Sequence, residues 1–306
     1  MPSKVDGTHV SQRIVEAAAV LRGWGGVTGW AGLRWLGGVW FDGLESDGLT
    51  PAPVPLAVGQ NHPLHEQAGM CVSNAGVPPH HQIRVDGVRV TVALRSVTFE
   101  MRRAPTVLHA AKVFAQAAYS DLVSIDELIA FTERELNAKT GVGTVREAIP
   151  LLTENAWSPM EVEMCHHWVD TARCPQPLFN VPVFDRRGRH VATPDLLDSA
   201  TGVCGEYAGV VHLVREVRDH DVGREGVVRR LGLEPVTMIS PDRFDPDAFA
   251  HRLHDAYARA ARVPASERLW TTEQPRWWID TSTVRRRRAL SERQRQVALN
   301  WRRTAA

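Results

Sequence analysis

Apolar positions along the chain recur with a helical period near both ends and alternate more tightly in the middle. Residues 11–23, SQRIVEAAAVLRG, put Ile14, Ala18 and Leu21 on one helical face between a serine N-cap and a glycine C-cap. In the glycine-rich GGVTGWAGLRWLGG that follows, Thr28 can cap a second short helix carrying Trp30, Leu33 and Leu36. Two short helices around a glycine turn predict a helix-turn-helix or winged-helix-like module over 1–50. Residues 1–60 hold four basic and five acidic residues. A DNA reader needs a basic face, so a packing or protein-contact role stands beside that reading.

Residues 51–156 predict a small α+β region. PAPVPLAVGQNHP has the proline density of a linker or an irregular edge strand. IRVDGVRVTVALR, residues 83–95, alternates around an Asp-Gly pair and reads as a hairpin. Residues 104–119 and 121–138 read as helices, the second capped by Asp121 or Ser124, and a further helix ends near Asn155.

Beyond Trp157 the order becomes helix, three strands, helix, strand, helix. SPMEVEMCHHWVDT starts a helix with Ser158 at the N-cap, Pro159 at N1 and Glu161 at N3. FNVPVFD and HVATPDLLD are apolar strands joined by RRGR, a turn containing Gly188, and TGVCGEYAG is a third strand. VREVRDHDVGREGVVRRLG is a polar helix closed by Gly232, EPVTMIS a fourth strand, and PDAFAHRLHDAYARAA an amphipathic helix with Phe249, Leu253 and Tyr257 on one face. The fold class is therefore α/β (α+β overall), with the αβββαβ core in residues 157–262 and an Arg/Trp-rich extension over 263–306.

Charge narrows the picture. The net charge is +1 in 306 residues, so no affinity for nucleic acid or membrane follows from the overall balance. Residues 285–303 nevertheless carry eight arginines against Glu292 alone, which suits a solvated helix face or a phosphate-tracking arm. The 103 residues from Ser158 to Ala260 hold twelve arginines and sixteen acids, so DNA affinity there would need local clustering of arginine. The four cysteines show no CxxC pairing and no apolar leader opens the chain, which together predict reduced thiols in the cytoplasm. The apolar stretch from Val15 to Trp40 is broken by Arg22, Arg34 and glycines, so no membrane span is expected.

The candidate chemistry lies in PDLLDSATGVCGEYAG, residues 194–209. Asp195 and Glu206 stand eleven residues apart in apolar, strand-like sequence. Burying a carboxylate is costly unless it is paired, so two of them at neighbouring strand ends suit a divalent metal. Each has a rival reading. Asp195 can pair with an arginine such as Arg189. Glu161, three residues after Ser158, can complete a capping box. Glu206 lies beside Gly205 and Gly209, which permit close approach. His212 can be a local hydrogen bonder, and Asp221 with Arg224 an i,i+3 ion pair. His166 and His167 are adjacent on a helix and project about 100° apart, which makes a shared metal difficult.

The motifs SPMEVEM, NVPVFDRRGRHVATPDLLD, GEYAGVVH and RDHDVGREGVVRRLGLE resemble the very-short-patch-repair-like endonuclease domain of the PD-(D/E)XK superfamily. The N-terminal module followed by ALRSVTFEMRRAP resembles antitoxin-like regions of abortive-infection type IV toxin–antitoxin systems. The first resemblance implies a Mg²⁺- or Mn²⁺-dependent DNA endonuclease, in defence or repair. Its metal acids would be Glu161, Asp195 and Glu206. His212 matches the motif histidine, and Asp221 and Arg224 match a D-x-x-R element on the following helix. The second implies DNA, and a toxin or other protein, as partners. At the position where the superfamily has lysine and the closer group aspartate, this chain has Ala208, and its last lysine is Lys139. Two readings stay open: an active nuclease short of one ligand, and an inactive pseudo-nuclease acting as an antitoxin-like DNA-binding or regulatory protein.

Overall fold

The computed structural model describes residues 8–305 apart from Arg22, 61–63, 209–225 and 227–228. Its architecture is mixed α and β, in two compact units, Met1–Glu154 and Asn155–Ala306. Among the described residues no helix is long and apolar enough to cross a membrane.

The first unit is built on one five-stranded sheet. Helix α1 (Val10–Ala19) buries Ile14 and Ala17. Strand β1 (Gly26–Val27) then separates it from α2 (Gly29–Trp35), so the two helices flank a strand rather than a bare glycine turn. With β2 (Val54–Ala57), β3 (Met70–Ser73), β4 (Gln82–Val85) and β5 (Val88–Thr91) the sheet order is β3-β2-β1-β5-β4. Residues expected as separate regions, 1–50 and 51–156, therefore share a sheet. Thr28 occupies the N-cap of α2 as expected, but its hydroxyl makes no capping bond and instead accepts a hydrogen bond from Thr91 Oγ1 at 2.9 Å. The α2 terminus is instead held by Glu100, which accepts from Trp30 N–H at 2.7 Å. Asp86 and Gly87 both take positive φ, 45° and 81°, as a two-residue hairpin turn requires, and join β4 to β5 as the alternation predicts.

Four helices complete the unit: α3 (Ala93–Met101), α4 (Val107–Tyr119), α5 (Ile125–Glu135) and α6 (Val142–Ala148). Ser124 and Glu127 form a reciprocal capping box at the start of α5. The alanine-rich inner face of α4, including Ala110, Ala111, Ala117 and Ala118, is fully buried and lets the helices approach closely.

In the second unit the expected long strands are split. Leu178–Phe179 (β6) and Val183–Asp185 (β7) replace one strand, and His190–Ala192 (β8) and Leu196–Leu197 (β9) replace the next. The breaks have local causes. Asn180 takes φ 46°, and Pro182 and Pro194 carry no N–H for a ladder. At each break the chain changes sheet. β6 and β9 join β10 (Val203–Ala208) and β11 (Glu234–Ile239) in the order β11-β10-β9-β6. β7 and β8 join β12 (Trp270–Thr271) in the order β12-β7-β8. β10 and β11 run parallel, whereas β9 and β10 are antiparallel.

Helix α7 (Pro159–His166), its π-helical continuation His167–Thr171 and α8 (Pro246–Ala260) cover one face of the four-stranded sheet. Met164, Trp168, Leu196, Val236, Phe249 and Leu253 fill that core. On the other face Val183, Ala192, Leu197 and Cys204 pack the two sheets together. The arginine-rich extension forms α9 (Val284–Arg288) and α10 (Glu292–Ala305). It is not wholly a solvated face, since Arg287 is fully buried and donates to Thr281 O.

Candidate metal and phosphodiester site

Asp195 sits where the chain turns from β8 into β9, directly after Pro194. The β9–β10 ladder pairs Leu197 with Cys204 and Leu196 with Gly205. One further step in that register sets Asp195 opposite Glu206, and directly opposed residues of an antiparallel pair project from the same face. Asp195 Oδ2 accepts from Tyr207 N–H at 2.7 Å, which ties the carboxylate to the strand that carries Glu206. Both acids are half-buried. They share the face of Leu197 and Cys204, away from α7. The arginine pairing considered for Asp195 is not made by Arg189, whose guanidinium lies 2.7 Å from Asp185 across the exposed RRGR turn.

Gly205 permits a close approach, though from the other side of the sheet. A Cβ there would come within 3.0 Å of Trp168 and 3.2 Å of the Met164 sulfur. The missing side chain makes room for α7 and its continuation, not for a ligand beside Glu206. At the end of β10, Ala208 pairs with Ile239.

Glu161 does not join the two strand acids. It is 3% exposed, and its Oε2 accepts from Trp157 N–H at 2.8 Å and from Asn180 Nδ2 at 2.6 Å. Its own N–H donates to Ser158 Oγ at 3.3 Å, the N-cap half of the box. Burial pushes its pKa up to about 7, against the pull of those hydrogen bonds. The carboxyl therefore fastens the start of α7 to Asn180, whose backbone N–H in turn donates to Asp195 O at 3.0 Å. Among the described residues Glu161, Asp195 and Glu206 do not converge as a three-ligand cluster. His212, Asp221 and Arg224 lie outside the described residues.

Several features of this neighbourhood escape sequence reasoning. Glu163, buried on α7, forms an ion pair with Arg243 at 2.9 Å, eighty positions away in sequence. That pairing holds the Arg243 guanidinium above its usual range. Tyr207 Oη lies 3.1 Å from Ser240 Oγ, joining the ends of β10 and β11. A cleft of about 340 Å³ opens beside the Asn180 segment, with Asn155, Trp157, Thr193, Trp277 and Trp278 in its walls. Trp278 stacks on His190 with ring centroids 5.0 Å apart and Trp277 meets Phe184 edge-on at 5.9 Å, so both members of the PRWWID aromatic pair are engaged within their own unit. Trp277 remains 59% exposed.

His166 Nδ1 lies 2.7 Å from Asp170, and His167 Nδ1 3.4 Å from Thr171 Oγ1, so these two contacts go to different residues. None of the four cysteines is in a disulfide, and burial pushes the Cys165 thiol up to about 11. The three-ligand cluster that the described residues do contain is in the first unit: His80, His81 and Glu135, with ligand atoms all within 4.8 Å of one another. The adjacent histidines are visible in the sequence, but nothing there links them to Glu135.

No family model matches the chain, and no curated protein or solved structure matches it either.

Proposed function

We propose that residues 157–262 form an endonuclease-like domain of the PD-(D/E)XK kind, hydrolysing DNA phosphodiesters with Mg²⁺ or Mn²⁺ in defence or repair. The observation that carries this reading is the register that sets Asp195 opposite Glu206 on one sheet face. Like charges directly opposed on a sheet are destabilising, and a divalent cation between them reverses the sign of that interaction. Two carboxylates completed by water and phosphate oxygens suit Mg²⁺, which seldom takes an all-protein cage. When bound, such an ion neutralises phosphate charge and acidifies a water.

The chain's own groups take simple roles in this reading. Tyr207 N–H fixes one oxygen of Asp195. Exposed Arg285 on α9 offers a sequence-independent phosphate contact, and Arg286 beside it is held by Asp280 at 2.8 Å. Trp277, 59% exposed, offers a surface on which an unpaired base can stack. Parallel pairing of β10 with β11 is what the αβββαβ order asks of its last two strands.

The test is calorimetric titration of Mg²⁺ and Mn²⁺ beside a Glu206→Ala variant, followed by incubation with supercoiled plasmid. Metal binding and nicking, both abolished by the substitution, are expected. Intact plasmid with metal still bound would defeat the hydrolytic reading.

A second reading has its own support. Ala208 supplies no lysine or acid, and Glu161 is committed to Trp157 and Asn180. In this reading the second unit is an inactive pseudo-nuclease, and the chain is an antitoxin-like DNA-binding or regulatory protein with a toxin or other protein as partner. DNA binding without Mg²⁺ binding, equal in the parent chain and in Glu206→Ala, would favour it.

A further inference from the structure

The turn at Pro79–His81 ends with two histidines, and α5 ends at Glu135. His80 is exposed, His81 is buried and Glu135 is half-buried. The two imidazole centroids lie 4.3 Å apart with the rings inclined at 64°. Phe131, one helical turn before Glu135, packs on His81 at 5.4 Å and fixes that ring against α5. One cation already approaches. Arg95 NH1 lies 3.3 Å from His81 Nδ1, while Arg95 NH2 donates to Gly76 O. Burial, then Arg95 and His80, hold the His81 pKa below its usual value, against an upward pull from Glu135.

Two nitrogens and one carboxylate oxygen form a ligand set for a borderline transition metal rather than for Mg²⁺. Zinc bonds of about 2.0–2.2 Å put tetrahedral ligand atoms about 3.3 Å apart, so small side-chain rotations gather the three. Arg95 sets the condition. A neutral imidazole that accepts from Arg95 at Nδ1 carries its proton on Nε2 and cannot lend that nitrogen to a metal. Ligation through either nitrogen therefore requires the Arg95 contact to open.

We propose that His80, His81 and Glu135 form a binding site for a divalent transition metal, best matched by Zn²⁺, with a fourth position for water or an external ligand, and that Arg95 competes with the metal for His81. The site would pin the turn after Pro78 to the end of α5. It is independent of the carboxylate pair, which lies in the other unit.

The test is titration of Zn²⁺ into the full, chelator-treated chain by calorimetry, and of Co²⁺ by its visible ligand-field absorbance. Parallel samples carry His80→Gln, Glu135→Gln, Arg95→Gln and Glu206→Ala. One equivalent is expected in the parent chain and in Glu206→Ala. Affinity should fall by at least about 10–100-fold in His80→Gln and in Glu135→Gln, and rise in Arg95→Gln. A hundredfold excess of Zn²⁺ over Kd should raise the unfolding temperature of the first unit by roughly 5–10 °C. His80 is exposed, so an unchanged metal-free unfolding temperature certifies that variant as folded. Absence of a Zn²⁺ equivalent would overturn the site, as would an equivalent held with undiminished affinity by both His80→Gln and Glu135→Gln. Unchanged affinity in Arg95→Gln would overturn the competition.

Discussion

A carboxyl that accepts hydrogen bonds from Trp157 N–H and Asn180 Nδ2 while only 3% exposed is satisfied as an acceptor but costly as a charge. For Glu161 the cost of burial outweighs the hydrogen bonds and raises its pKa from 4.5 to about 7. Between those values the folded state keeps a proton that the unfolded chain releases. The stabilisation is complete below pH 4.5, falls as pH rises through the window and is gone above about 7. Glutamine keeps an acceptor oxygen and cannot ionise. Glu161→Gln is therefore expected to flatten this dependence and to exceed the parent's stability by about 1–3 kcal/mol at pH 7.5, while matching it near pH 4.5. Urea unfolding followed at both pH values checks this. A Glu161 that served instead as a metal ligand would lose Mg²⁺ affinity on the same substitution.

At the scale of elements, α7 and its continuation are held against β10 by a missing side chain. Gly205→Ala drives a methyl into Trp168 and the Met164 sulfur, which sit in a filled core. The expected cost is about 1–3 kcal/mol, read as a lower unfolding temperature for the second unit. The elements that local chemistry encodes were legible in the sequence. Asp86-Gly87 demands a hairpin, Ser124 with Glu127 demands a helix start, and the 3.6-residue spacing of Phe249 and Leu253 gives α8. Sheet membership was not legible. β1 is two residues long and owes its existence to partners near positions 56 and 90. Likewise FNVPVFD and HVATPDLLD look continuous because apolar residues flank Pro182 and Pro194, yet each segment serves two sheets. The candidate site followed the same division. The apolar runs around Asp195 and Glu206 marked one acid beside a strand and the other within one, whereas the sequestration of Glu161 by Asn180 and the Glu163–Arg243 pair depend on contacts remote in sequence.

For the whole molecule, two units with separate cores predict two unfolding events rather than one. Scanning calorimetry of the full chain should resolve them, and Glu161→Gln should displace only one. A single transition in which every perturbation moves both components would contradict that division. One bond of the second unit bears on both its folding and its chemistry. The β9–β10 ladder has only two paired positions, and a slip of one residue would carry Asp195 to the opposite face from Glu206. The contact from Tyr207 N–H to Asp195 Oδ2 acts as a third rung. Its amide proton is thus a local clock. A cation that takes the other carboxylate oxygen slows the exchange of that proton with deuterium, and one that takes Oδ2 frees it, so a single backbone position reports which oxygen the ion has chosen.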